Sequence, residues 1–148
     1  MVGKSHVQSW ATAISTNSQN GKKIIFRYAE DFGSTFDRAS QPSRIIIAWK
    51  YDSENGQPES EEHRRMNLLE DSLEPILDQD DFATLAIVTT GENLREWTYY
   101  AKSDEAFIQG LNLALVGLPV FPIEIHTALD PTWSMYEEFK AGVKETAH

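Results

Sequence analysis

Between Arg44 and Thr127 the apolar residues switch between a period of two and a period of three to four, in one fixed order. Arg44-Ile-Ile-Ile-Ala-Trp-Lys-Tyr51 is the most continuous apolar run and reads as a buried, central strand. Met66, Leu69, Leu73 and Ile76 then form a single helical stripe. Phe82–Thr90 and Arg95–Ala101 are strands flanking Gly91-Glu-Asn-Leu94, a strong hairpin signal. Phe107, Leu111, Ala114 and Leu115 mark a second helix, and Val120–Thr127 a last strand. Strand, helix, strand, strand, helix, strand is the split βαβ order. The chain is therefore expected to be an α+β protein with a ferredoxin-like (βαββαβ) core over residues 44–127. In this reading 44–51 lies at the sheet centre, beside 95–101 and parallel to it.

Two segments flank that core within a single 148-residue domain. Residues 1–43 form an N-terminal hairpin, with strands at Val7–Ser15 and Lys22–Tyr28, and a polar connection anchored by Phe32 and Phe36. Asp130-Pro131 is a cap and first turn for a C-terminal helix over 130–148 that carries Trp133, Tyr136 and Phe139. Local signals add detail. Pro58 suits a helix start, and Pro75 should kink or end that helix near Glu74. Asp104 is placed to cap the second helix and Gly117 to end it in the left-handed conformation. Pro122 puts the last strand at a sheet edge or a bulge.

The chain carries a net charge of −10, and its placement is uneven. Residues 52–81 hold eleven acids against Arg64 and Arg65, a net −9, while the remainder is near neutral. An acidic surface repels nucleic-acid phosphates, so no nucleic-acid partner is expected; a solubilising face or a docking face for a basic protein is. The chain has no cysteine, which excludes disulfides and thiolate chemistry. No apolar run is long enough for a membrane span, and the N-terminal residues lack a signal-peptide pattern. A cytoplasmic protein without a membrane partner is expected.

No pattern here activates a nucleophile or cradles a phosphate, and no catalytic, metal or cofactor residue is assigned. Glu59 and His63 are four apart, but pairing of Glu61 with Arg65 explains that turn more simply. Glu70-Asp71 is not a ready acid/base dyad, because adjacent helical residues do not face each other. Glu124 and His126 share one face of the last strand, and with Asp130 they form the constellation on which a small metal-dependent or hydrolase-like enzyme would be built.

Alternation in the strands sorts the remaining residues. Ile47, Trp49, Trp97, Tyr99, Ile123 and Ile125 belong beneath the helices, so Lys50, Glu96, Thr98, Tyr100, Glu124 and His126 line the opposite face. With acids and one Tyr, that face is a poor RNA reader.

Ile47-Ala-Trp-Lys-Tyr51, Met66-Asn-Leu-Leu-Glu-Asp71, Thr89-Thr-Gly91, Arg95-Glu-Trp-Thr-Tyr-Tyr100, Phe121-Pro-Ile-Glu124 and Asp130-Pro-Thr-Trp133, in this order, resemble a bacterial family, domain of unknown function 695. That family is more distantly similar to the regulator of ribonuclease activity B, a small acidic α+β protein that inhibits by binding a nuclease. The resemblance implies no cofactor and no catalytic residue. The expected function is a non-catalytic protein-binding or regulatory module. Its candidate contacts with a basic partner are Glu59, Glu61, Glu62, Lys50, Glu96, Tyr100, Glu124 and His126. An immunity-type inhibitor of a basic toxin or nuclease would use the same physics.

Overall fold

The computed structural model describes residues 7–77 and 82–146. Its elements, in chain order, are β1 (Val7–Thr16), β2 (Lys23–Phe32), β3 (Ser43–Lys50), α1 (Ser60–Leu77), β4 (Ala83–Gly91), β5 (Leu94–Ala101), α2 (Asp104–Ala114), β6 (Ile123–Leu129) and α3 (Ser134–Thr146). The strands form one six-stranded sheet in the order β1-β2-β4-β5-β3-β6, and every neighbouring pair is antiparallel. The fold is α+β. No helix of the described residues is long and apolar enough to cross a membrane.

Residues 44–51 do lie beside 95–101 in the sheet interior, but the expected parallel pairing is wrong: Ile45 pairs with Tyr99 and Ile47 with Trp97 in antiparallel register. The reason is topological. The crossover through α1 makes β3 and β4 run the same way, and β5 returns from β4 through a hairpin into the gap between them. It must therefore oppose both. The hairpin turn is Glu92-Asn93, with φ of 51° and 68°, the left-handed pair that a two-residue turn between twisted strands demands. Gly91 precedes it because a Cβ there would stand 2.6 Å from the Lys23 carbonyl oxygen on β2.

One face of the sheet carries α1 and α2. Ile45, Ile47, Trp49, Trp97 and Tyr99 are fully buried there against Met66, Leu69, Leu73, Phe107 and Leu111, as strand alternation requires. The helix α1 does not stop near Glu74 but runs through Pro75 to Leu77. Leu77, two residues past the proline, belongs to the core, and its burial offsets the lost hydrogen bond. In α2 the cap is Ser103 rather than Asp104: its side chain accepts the Ala106 N–H. The helix ends at Ala114, and Gly117 adopts its left-handed φ of 82° in the turn that follows.

The opposite face is half covered by α3 and the 33–42 connection. Tyr28, Ala29, Ile87 and Tyr100 are buried against Trp133 and Tyr136. Phe32 and Phe36 stack on each other and meet Trp133 edge-on, which makes them anchors. The helix α3 begins at Ser134, later than Asp130-Pro131 suggests, because Trp133 takes a left-handed φ of 58° that breaks the helix before it. At the sheet edge, β6 starts just after Pro122.

Trp97 is fully buried in the larger core, 6.3 Å from the Trp49 ring. Trp97→Ala should cost about 3–5 kcal/mol in equilibrium urea denaturation. Stability near that of the parent would mean that the helix-side face has been misassigned.

Candidate functional site

The acidic run opens in the loop between β3 and α1, which is fastened to the β4–β5 turn. Asn93 accepts the Tyr51 N–H at 3.0 Å through its backbone oxygen and the Ser53 N–H at 3.0 Å through Oδ1. Its own N–H donates to the Gly56 carbonyl at 3.1 Å, and the Tyr51 hydroxyl donates to the same oxygen at 2.6 Å. Gly56 has a φ of 81°, and a Cβ there would come within 3.1 Å of the Glu92 nitrogen, so the loop closes only around glycine. Gln57 then donates to the Lys23 carbonyl at 2.7 Å. These bonds hold the start of α1 over the end of the sheet.

From this position the acids of α1 divide into two groups. Glu62 accepts the Trp49 indole N–H at 2.7 Å. Glu70 accepts the Trp97 indole N–H at 2.9 Å and the Arg27 guanidinium at 2.6 Å. Both carboxylates are half-buried and serve the core. Arg65 lies over the Trp49 and Phe121 rings, with Glu62 3.9 Å away. The expected Glu61–Arg65 pair is instead Glu61–Arg64, an exposed i,i+3 bridge that holds the Glu61 carboxyl below its ordinary range. The other group stays at the surface: Asp52, Glu59 and Glu61 are exposed and, with Tyr51 and Glu62, line a notch of about 150 Å³. Asp78, Asp80 and Asp81 lie outside the described residues.

The sheet-face candidates do not form one surface. Lys50 is exposed and Glu96 half-buried. Tyr100 is fully buried, so its placement among exposed contacts is incorrect: the α3 side covers it, with Trp133 stacked at 4.1 Å and 10°. Thr98, expected on the same open face, is also buried. Glu124 and His126 are exposed and 3.6 Å apart. Asp130 does not join them. Its Oδ2 accepts the Tyr100 hydroxyl at 2.7 Å and the Met135 N–H at 3.2 Å, and its Oδ1 accepts the Ser134 N–H and hydroxyl at 2.8 and 2.7 Å. Arg44 approaches at 3.4 Å. Asp130 thus caps α3 from four residues away and ties it to β5 and β3. Among the described residues no group of three His, Asp or Glu is placed to hold a metal ion.

Strand alternation places Arg95 on the helix side with Trp97 and Tyr99, and it is buried there. Arg27, which partners Glu70 from β2, has no sequence signal, because pairing of β2 with β4 brings it there.

A protein-family model described as a family of unknown function (DUF695) matches residues 8–140. No curated protein matches the chain.

Burial raises the Asp130 pKa, but the bonds from Ser134, Tyr100 and Met135 outweigh it and hold the carboxyl at about 2, below its ordinary 3.8. A depressed pKa in the folded state contributes stability that is complete above about pH 4 and lost as pH falls to about 2, worth about 2 kcal/mol. The stability gap between the parent and Asp130→Asn, measured by urea denaturation, should be full at pH 7 and shrink across that window. A gap unchanged down to pH 2 would contradict this role.

Proposed function

We propose that this chain, which belongs to the DUF695 family of unknown function, is a non-catalytic protein-binding module whose anchor is the acidic notch at the start of α1. The observation that carries the reading is the division of the acids. Glu62 and Glu70 are occupied by indole N–H groups, while Asp52, Glu59 and Glu61 stand exposed around a notch of about 150 Å³ on a firmly braced loop. Such a notch matches a Lys or Arg side chain of a basic partner protein. Charge so concentrated speeds encounter with a basic surface and is screened by salt over about 8 Å at physiological ionic strength.

Other features support the reading. The exposure of Glu124 and His126 and the engagement of Asp130 by α3 leave that trio poorly arranged for catalysis. The order β6-β3-β5-β4, with α1 and α2 as its crossovers, favours a ferredoxin-like core. A distant kinship of this family with the regulator of ribonuclease activity B, as the resemblance implies, would make the partner an enzyme held by contact.

The test is a titration with a synthetic Lys- and Arg-rich peptide followed by amide NMR shifts. The largest shifts should fall between Tyr51 and Glu62, and affinity should drop with added salt. Asp52→Asn combined with Glu59→Gln and Glu61→Gln should weaken binding without altering the fold; Glu62 is left intact because it serves Trp49. Shifts centred on Glu96 and Glu124, or binding indifferent to the triple substitution, would overturn the reading.

A further inference from the structure

A second cleft, with a lining separate from that of the acidic notch, opens where α1 meets the ends of β4 and β5. It measures about 400 Å³, and its polar wall includes Gln57, Ser60, His63, Thr90 and Arg95. Arg95 is the unusual member. It is only 8% exposed, yet it forms no ion pair with any carboxylate of the described residues. Its Nε donates to the Thr90 hydroxyl at 2.9 Å, and its guanidinium centre sits 5.6 Å from the centre of the Trp97 ring. Its terminal nitrogens have no acceptor among the described residues. Burial lowers its pKa, Glu70 raises it and Arg27 lowers it, so the charge is only partly compensated from a distance.

A largely buried cation whose terminal donors meet solvent rather than a counter-charge can exchange that water for an anion. The planar guanidinium offers parallel N–H donors that match two oxygens of one oxyanion. Beside it, Ser60 is the first residue of α1, so its N–H has no intrahelical acceptor and lies at the positive end of the helix. His63 completes the same wall. The overall charge of −10 discourages diffuse anion uptake, so any anion bound here is held by these local donors.

We propose that this cleft binds a phosphate-type oxyanion through the terminal nitrogens of Arg95, with Ser60 and His63 at its rim. Its lining shares no residue with the acidic notch, although Ser60 lies between Glu59 and Glu61 of that notch, and its test does not depend on a basic partner.

The experiment titrates inorganic phosphate into the full chain at constant ionic strength. It follows the melting temperature and the Arg95 side-chain N–H resonance, with acetate as the comparison anion. A saturable rise in melting temperature and a saturable Arg95 shift are expected with phosphate, and a weaker response with acetate. Arg95→Gln should weaken phosphate binding about tenfold or more. Ser60→Pro, which removes that N–H at a helix position that tolerates proline, and His63→Ala should each weaken it while leaving the circular dichroism unchanged. They carry the test if Arg95→Gln does not fold. Absence of saturation, a response to acetate equal to that for phosphate, or unchanged affinity in the rim variants would overturn the site.

Discussion

Two indole N–H groups under α1 constrain the rest of the molecule. Trp49 and Trp97 come from neighbouring strands, are fully buried, and must each place a donor against an acceptor. Their acceptors among the described residues are Glu62 and Glu70, eight residues apart on α1, so the two bonds fix both the rotation of the helix and its height above the sheet. Arg27 completes the Glu70 site from β2, which joins the N-terminal hairpin to the same arrangement. Arg65 covers Trp49 from above and donates to the Val120 carbonyl, which ties in the entry to β6.

That arrangement also decides which charges face solvent. With Glu62 and Glu70 serving the indoles, the exposed acids that line the notch are Asp52, Glu59 and Glu61, next to the loop that Asn93 and Gly56 close onto the β4–β5 turn. The acidic notch and the Arg95 cleft both border this braced corner. The other sheet face obeys a similar rule. Asp130 satisfies the first N–H groups of α3 and the Tyr100 hydroxyl together, which seats Trp133 on the sheet, with its indole N–H donating to the Gln41 carbonyl at 3.0 Å.

Much of this was legible from residue spacing. Alternation placed Ile47, Trp49, Trp97 and Tyr99 on the helix side, and the order of elements placed 44–51 next to 95–101. Direction followed from the same order, because a strand lying between two strands joined through α1 must oppose both, and the parallel reading overlooked this. The burial of Tyr100 was not legible: alternation gives the face, while only the path of the 130–133 turn shows that α3 lands on it. At the candidate site the acidic character of 52–81 was plain, but its division into inward and outward carboxylates was not. A glutamate that accepts an indole N–H has the same spacing as one that faces water.

The central claim is that the acids of α1 do two jobs, and equilibrium urea denaturation of Glu70→Ala beside Glu61→Ala tests it most directly. Removing Glu70 leaves the Trp97 N–H without an acceptor and Arg27 without its partner, so the account predicts a loss of about 1–3 kcal/mol. Glu61→Ala, at an exposed bridge, should leave the denaturation midpoint where it was. Indistinguishable midpoints for the two variants would contradict the claim that Glu70 is part of the core.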